Sequence, residues 1–174
     1  PDMEGELLPG YDFISDAERA RDNDGYDADP SDEGDWAEPG VCPSRSGASK
    51  GQSSSWHGSH VAGTIAAHTN NNGGVAGVAP DAKIVPIRVL GRCGSTSADT
   101  IDAITWASGG EVNGVPVNKN PAQIINMSMG GPGTCPRFYQ KTINAAVARG
   151  AVIVAAAGNE DQDASKVAPA SCEL

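Results

Sequence analysis

The segment HGSHVAGTIAA, residues 57 to 67, contains two of the three histidines in the chain. His57 and His60 are three positions apart, so in a helix both side chains lie on one face, which can suit a metal ion. The segment has no HExxH motif, and no cysteine or carboxylate follows within the helix to complete a ligand set. His57 fits a general base better. It opens a helix of small residues, where the helix dipole disfavours a positively charged ring and leaves an imidazole that can accept a proton. For His60 we expect a packing role.

Two apolar runs pass directly into glycines, in INMSMGG (125–131) and VAAAGNE (154–160). Backbone polar groups are therefore released at the carboxyl edge of a parallel sheet, which is where α/β proteins bind ligands. Asn159 follows Gly158 at this edge and offers a side-chain amide donor. An Asn after a Gly is also common in an ordinary turn, so the motif alone leaves both interpretations open.

The elements that must position these residues alternate along the chain. Continuous apolar runs predict buried parallel strands with both faces covered, and the strand segments are 11–14, 83–90, 122–129 and 151–157. Helical spacing predicts helices over 97–110, with Ser97 as the N-cap, and over 137–150. Strands that alternate with helices in this way predict an α/β fold with right-handed crossovers. Residues 109–121 are expected to form a hairpin around Asn113 and Gly114.

Charge is concentrated at one end of the sequence. Residues 1–40 hold 14 Asp and Glu against 2 Lys and Arg, whereas the other 134 residues hold 8 and 10. No basic stripe is present to meet phosphates, so we expect no nucleic-acid partner. No run approaches the roughly 18 apolar residues of a membrane span, so we expect no membrane partner either. Residues 15–56 show no sustained periodicity, and a loop of this length needs a functional or stabilising cause.

The four cysteines are far apart and form no CxxC pair. This pattern argues against a zinc ribbon or a thioredoxin motif and fits two disulfides in an exported protein. Four cysteines allow three pairings, and their positions alone do not choose among them.

Four motifs in their order and spacing, HGSHVAGTIAA, GVAGVAPDAKIVPIRVLG, IINMSMGG and VIVAAAGNE, resemble the subtilisin-like serine proteases, or subtilases. The resemblance runs from Trp56 to Asn159. It implies a three-layer α/β sandwich around a central, mostly parallel sheet. Residues 1–174 would then form part of a subtilase catalytic domain, with an acidic insertion over 15–56 and the core strands and helices over 57–174.

The resemblance also implies roles for individual residues. His57 would be the general base of a Ser-His-Asp triad in acyl-enzyme chemistry, and Asn159 would donate to the oxyanion. Two backbone edges would pair with an extended peptide, and a third segment would form a wall of the main specificity pocket. These substrate-binding residues are Gly94 and Ser95, then Ser128, Met129 and Gly130, and then Ala156, Ala157 and Gly158.

The chain departs from the family's pattern in the rest of the triad. The residues PDM at positions 1–3 are also similar to the family. In the family the Asp motif lies just upstream of that segment, and the Ser motif lies well downstream of the segment that resembles VIVAAAGNE. Neither motif occurs in this chain. We therefore expect an internal piece that is inactive alone, from a secreted, monomeric endopeptidase whose partners are polypeptide substrates and protein protease inhibitors. One rival is an inactive subtilase-fold protein that binds peptides. Another is a metal-dependent hydrolase that uses His57 and His60.

Alternating carboxylates surround a glycine in the segment SDAERARDNDGYDADPSDEGDW, residues 15–36. The spacing does not fit an EF-hand, yet an oxygen-rich loop of this kind resembles the calcium loops of many subtilases. The expected calcium ligands are Asp16, Asp22, Asp24 and Asp29. Loop placement in the resembled fold also suggests the disulfides Cys42–Cys93 and Cys135–Cys172.

Overall fold

A computed structural model of the chain describes residues 2–42 and 50–173. Positions 43–49 of the predicted acidic insertion therefore lie outside the described residues. The chain divides into two compact units, residues 1–100 and 101–174. Within the described residues, no helix combines the length and the apolar character that a bilayer crossing requires.

Helices separate the four predicted strand segments along the chain, as predicted. The helices are α1 (Ala17–Ala20), α2 (His57–Ala66), α3 (Ser97–Ala107) and α4 (Arg137–Ala148), followed by a short 3₁₀ helix (Ala164–Lys166). The strands are β1 (Tyr11–Asp12), β2 (Ile87–Arg88), β3 (Ile124–Met127), β4 (Gly131–Pro132), β5 (Val152–Ala155) and β6 (Val167–Ala168). Each of the four predicted strand segments contains one of these strands, although every strand is shorter than its apolar run.

The first unit is organised around the parallel pair of β1 and β2. Main-chain pairing extends along this pair on both sides, because Leu8 donates to Ile84 and Phe13 donates to Arg88. Phe13 is fully buried, and its ring lies 5.1 Å from that of Tyr11 and 5.0 Å from that of Tyr26. This aromatic contact anchors the acidic loop onto β1, although aromatic residues are scarce in the sequence.

The second unit is organised around the parallel pair of β3 and β5, in which Met127 lies opposite Ala155. Its core consists of Ile104, Met127, Ile143, Ala146, Ala151, Ile153 and Cys172. Only one face of this pair is buried, since Ile124, Val152 and Val154 are 65%, 58% and 49% exposed. The expectation of two covered faces is therefore wrong for the described residues. Helix α4 covers one face, and the apolar residues of the other face remain in contact with solvent.

Two local predictions are corrected by the backbone. Helix α3 is capped by Thr96, whose Oγ1 accepts the Asp99 N–H at 3.1 Å, so the predicted cap is displaced by one residue and Ser97 is the first helical residue. Between 109 and 121 the chain makes a turn at Asn113 and Gly114 without strand pairing, so the predicted hairpin is absent. A turn suffices because Val115 donates to Val112 and Gly114 adopts a φ of 78°.

Candidate functional site

His57 is the first residue of α2, as predicted, and its side chain is exposed. The preceding residue, Trp56, occupies the N-cap position with a φ of 50°, and its side chain makes no capping hydrogen bond. A left-handed residue immediately before the helix turns the chain sharply. His57 therefore lies at the exposed N-terminus of α2.

The prediction that His60 packs inside the protein is wrong for this structure. His60 is exposed on the first turn of α2, and Ala66 is the only buried residue of that helix. The other small residues of α2, which suggested a buried helix, are exposed or half-buried in this structure. The pair of histidines therefore lies at the surface.

The segment 91–94 forms a tight turn beside the predicted substrate edge. The N–H of Gly91 donates to the carbonyl of Gly94 at 3.2 Å, and the N–H of Gly94 donates back at 2.9 Å. Gly94 has a φ of 93°, a conformation that favours glycine. Because both main-chain groups of Gly94 are used in this turn, the groups that remain for a peptide at this edge belong to Ser95. The side chain of Ser95 is held by Thr100, with 2.8 Å between the two hydroxyls.

Both predicted disulfides are present. Cys42 is bonded to Cys93, which ties the acidic segment to the turn at 91–94, and Cys135 is bonded to Cys172. The Cα atoms are 5.3 Å and 4.9 Å apart in the two bridges, within the range that a disulfide spans. All four cysteines are therefore paired.

The other two predicted binding segments lie side by side at the end of the β3–β5 pair. Pairing continues one residue past Ala155, because the N–H of Ala156 donates to the carbonyl of Met127 at 3.1 Å. Ser128 consequently emerges beside Ala156 at the carboxyl edge of the sheet. The Ser128 hydroxyl accepts a hydrogen bond from Asn126 Nδ2 at 2.9 Å. The structure thus brings Ser128, Met129 and Gly130 next to the predicted pocket wall.

Asn159 and its neighbours leave this edge as exposed backbone. Gly158 has a φ of 95°, and a Cβ added to it would lie 2.6 Å from Glu160 Oε2. The same carboxylate oxygen accepts the Asn159 N–H at 2.8 Å. The turn therefore depends on a glycine, and it presents the Asn159 side chain on the exposed side of the strand ends.

The acidic loop encloses a second candidate site, a cavity of about 140 Å³. It is lined by Asp22, Asp24, Asp27, Asp29, Ser31 and Glu33. The pKa of Asp24 is raised by desolvation and then by the negative charges of Asp27 and Asp22. Carboxylates that repel one another across a small space are a ligand set suited to a hard cation such as calcium. The residues of the predicted set that meet here are Asp22, Asp24 and Asp29.

The structure does not bring Asp16 to this cavity. Its Oδ1 accepts the N–H groups of Glu18 and Arg19 at 2.9 and 3.3 Å, so Asp16 caps α1. Sequence reasoning did not assign Asp27, Ser31 and Glu33 to the site. The sequence did contain a signal for them: together with Asp29 they are spaced two positions apart, and side chains two positions apart on an extended segment point to the same side.

The carboxylates also order the loop by themselves. Asp22, Asp27 and Asp29 each accept the N–H of the residue two positions later, an arrangement known as an Asx turn. The side chain and the backbone N–H of Ser31 lower the pKa of Asp29 through hydrogen bonds. The long loop therefore has an internal source of order that is independent of a metal ion.

A buried cation already neutralises the inner end of the loop. Within the described residues, Asp12, Asp22 and Asp27 each have a carboxylate oxygen within 4.8 Å of the others. Arg88 Nη1 lies 2.6 Å from Asp12 Oδ2 and 2.7 Å from Asp22 Oδ2, and its Nη2 donates to the carbonyl of Ala20. A cation added to the cavity would therefore face Asp24, Asp27 and Asp29, with which Arg88 forms no salt bridge.

Two similar proteins are both named as extracellular proteases. The chain is 54% identical over 171 residues to the "Extracellular protease" of Xanthomonas campestris pv. campestris, which covers 98% of this chain and 29% of that protein. It is 54% identical over 176 residues to the "Extracellular basic protease" of Dichelobacter nodosus, covering 98% of this chain and 28% of that protein. The chain thus spans less than a third of the length of these relatives.

A solved structure agrees. A protease from Pseudoalteromonas arctica superimposes with a TM-score of 0.93 at 50% identity, and the match covers 98% of this chain and 49% of that one. A cold-adapted subtilisin-like serine proteinase matches with a TM-score of 0.62 at 28% identity over 97% of this chain and 45% of that one. Both matches agree with a partial α/β sandwich built on parallel strand pairs. The profile of the Subtilase family matches residues 1–173, and the chain therefore belongs to that family.

Proposed function

We propose that the gene product containing this chain is a serine endopeptidase that cleaves extended polypeptides through an acyl-enzyme. The observation that carries this proposal is the geometry at the end of the β3–β5 pair. There, Ser128 and Ala156 leave the sheet side by side, and the chain reaches Asn159 three residues after Ala156. A peptide-pairing edge, a pocket wall and an amide donor at one sheet edge suit the binding and polarisation of a peptide carbonyl.

In this proposal His57 is the general base. Its exposed position at the start of α2 leaves the imidazole accessible to a serine hydroxyl and to the leaving amine. The aspartate that orients the ring and the serine that attacks are assigned to other parts of the gene product, because the family's motifs for them do not occur here.

In this proposal Asn159 donates a hydrogen bond to the oxyanion. Its exposed amide is free to approach the oxygen on which negative charge develops, and the glycine before it fixes the direction of the turn. A donor already aimed at the developing charge costs no reorganisation during the reaction, which is why such groups contribute strongly to the rate.

Substrate is held mainly through its main chain. In the first unit Ser95 offers a main-chain edge, and in the second unit Ser128 and Gly130 offer another. Each edge would pair with an extended peptide by strand addition. Ala156, Ala157 and Gly158 have small side chains or none, so the pocket wall that they form leaves room for a large substrate side chain.

We also propose that calcium binds in the acidic cavity, held by Asp22, Asp24 and Asp29 together with Asp27. The fit rests on the oxygen donors that line the cavity and on their closeness, since desolvation and then the negative charges of Asp27 and Asp22 raise the pKa of Asp24. Calcium would supply the positive charge that these carboxylates lack, and it would hold residues 22–29 of the loop together. Its role is structural, since the proposed chemistry at His57 needs no metal.

The proposed setting is extracellular. Two disulfides persist most readily in an oxidising environment, and the two relatives at 54% identity are both named as extracellular proteases. The proposed partners are polypeptide substrates and protein protease inhibitors that present an extended loop, and the protein is proposed to act as a monomer.

A fluorophosphonate probe tests the reaction class. The mature full-length gene product should be labelled at one serine and should cleave an extended fluorogenic peptide, and His57→Ala should lose both properties. His60→Ala is the matched control and should retain labelling. A folded protein that binds peptides but is neither labelled nor active would instead establish the peptide-binding alternative.

A further inference from the structure

A third cavity lies on the first unit and is not used by the proposed mechanism. It is an open groove of about 690 Å³ whose walls include Arg21, Arg92, Trp36, Glu18 and Glu33. Trp36 is 45% exposed, so an indole face is available to solvent beside two guanidinium groups.

Arg21 is held rigidly in this groove. Its Cζ lies 3.8 Å from the centroid of the Trp36 ring, and its Nη2 donates to the Trp36 carbonyl at 2.6 Å. Its Nη1 is buried and has no hydrogen-bond partner within the described part of the chain. A buried donor without an acceptor is costly, so the Arg21 guanidinium retains hydrogen-bonding capacity that no described residue uses.

Arg92 also has a buried donor that lacks a hydrogen-bond partner among the described residues. Its backbone is fixed by Arg19, which accepts the Arg92 N–H at 3.0 Å and donates its Nε to the Arg92 carbonyl at 3.3 Å. The Arg92 Nε is buried and likewise lacks a partner among residues 2–42 and 50–173. Desolvation and then the positive charge of Arg92 lower the pKa of Arg21, so the two guanidinium groups are close enough to repel each other.

Within the described residues, Arg21 and Arg92 form no ion pair, although the surrounding sequence is acidic. Residues 1–40 contain 14 acidic residues and only 2 basic ones, so carboxylates are plentiful around Arg21. Arg88 pairs with two of them, whereas Arg21 and Arg92 form no salt bridge within the described residues. Glu18 and Glu33 line the groove without pairing with either arginine. The groove therefore keeps two cations near each other, with no described carboxylate paired to either.

We propose that this groove binds a carboxylate on an acidic side chain of the polypeptide substrate, between Arg21 and Arg92. Two guanidinium groups that line one groove, neither of them in a salt bridge with a described carboxylate, match a carboxylate, which has two acceptor oxygens. The Trp36 ring provides an apolar surface for the methylene groups of the same side chain.

The location connects the groove to the substrate edge. Arg92 precedes Cys93, Gly94 and Ser95, and the turn between Gly91 and Gly94 fixes its direction relative to that edge. An extended peptide rises about 3.3 Å per residue, so in this proposal a substrate paired with Ser95 would bring the side chain of a nearby residue to Arg92. This inference rests on the proposed function for the presence of a substrate. It adds a preference that main-chain pairing alone does not provide.

Binding can be tested separately from catalysis. The full-length gene product is first treated with a fluorophosphonate probe, which blocks a reactive serine and reports on the proposed reaction. Fluorescein-labelled extended peptides, in which a single Glu or Gln is moved through each position, are then titrated by anisotropy. We expect about tenfold tighter binding of the Glu peptide than of its Gln partner at one or two adjacent positions, as for a hydrogen-bonded charge pair.

Matched variants identify the groove as the cause. Arg92→Gln should reduce the Glu preference to less than about twofold, and Arg92→Lys should keep part of it, because the charge remains while the planar fork is lost. Arg92→Glu should reverse the preference in favour of a Lys peptide. The control is Arg137→Gln, which removes an exposed arginine of the second unit and should leave the Glu preference intact.

Equal binding of Glu and Gln peptides at every position would overturn the proposal, as would a preference that survives in Arg92→Gln or the absence of binding at about millimolar peptide. Glu-selective binding by a protein that the probe does not label would support the groove and contradict the serine protease. Labelling without Glu selectivity would do the reverse.

Discussion

Asp12 and Arg88 lie directly opposite each other in the parallel pair of β1 and β2, and Arg88 Nη1 contacts Asp12 Oδ2 at 2.6 Å. Asp12 is completely buried, and its second oxygen accepts the Ile14 N–H at 2.6 Å. This ion pair joins the two strands of the first unit, and through Asp22 it also joins them to the acidic loop. It is the link between the core of the first unit and the proposed calcium cavity.

The first prediction concerns the pH dependence of stability. Burial raises the pKa of Asp12 to about 6, while hydrogen bonds from Ile14 and Arg88 partly oppose the shift. A folded-state pKa above the unfolded value of 3.8 means that protonated Asp12 favours the fold. Its contribution is therefore complete below about pH 4 and is lost as the pH rises to about 6, by roughly 2–3 kcal/mol.

Chemical denaturation of the full-length protein with and without Asp12→Asn measures this effect. The difference in free energy of unfolding, wild type minus variant, should fall between about pH 4 and pH 6 and be level above that range. Asp81→Asn, at an exposed position, serves as the control. A difference that rises over the same range would show that Arg88 governs the titration instead.

The second prediction concerns the Cys42–Cys93 disulfide. It closes a loop with a sequence separation of 51, so replacing both cysteines by alanine should lower the free energy of unfolding by about 4 kcal/mol in the chain-entropy model. The bridge also fixes the turn that precedes Ser95, so KM for peptide substrates should rise. The Cys135–Cys172 bridge has a separation of 37 and is the control, because its loss should reduce stability by a similar amount with less effect on KM.

The third prediction concerns Asn159. Asn159→Ala should lower kcat of the full-length enzyme by about 10²–10³-fold with little change in KM, because the amide acts on the transition state; that range is the one measured for such a donor in subtilisin, another member of this family. Asn113→Ala, in an exposed turn, is the control. A change confined to KM would assign Asn159 to ground-state binding.

The fourth prediction concerns calcium. Removal of calcium by a chelator should lower the Tm of the wild-type protein, and Asp24→Asn should abolish that sensitivity by removing one carboxylate from the cavity. Asp16→Asn should retain it, because Asp16 caps α1 outside the cavity and Asn is an equally good cap. Identical Tm values for the wild type with and without the chelator would contradict the calcium site.

The sequence was sufficient for the order of elements because strands and helices carry different periodicities. His57 was placed at a helix start, and both disulfides were paired as the structure has them. These features depend on local pattern or on the resemblance to a family, and both are visible in one dimension.

Burial was less predictable because it depends on what lies over an element. The apolar run around Val152 and Val154 suggested two covered faces, yet only the Ile153 side is buried. The unpaired donors of Arg21 and Arg92 could not be foreseen either, since an arginine among many acidic residues would ordinarily find a partner. The predicted cap of α3, Ser97, differs by one residue from the observed cap, Thr96, because both residues carry a hydroxyl that can cap a helix.

The pairing of Met127 with Ala155 has a consequence for sequence change over evolution. Side chains alternate along a strand, so inserting or deleting one residue in β3 or β5 would exchange buried Met127 or Ile153 with an exposed neighbour and displace Ser128 from Ala156 at the same time. Length variation is therefore excluded from these two strands. It should accumulate instead in segments such as 109–121, where a turn absorbs additional residues without altering the register.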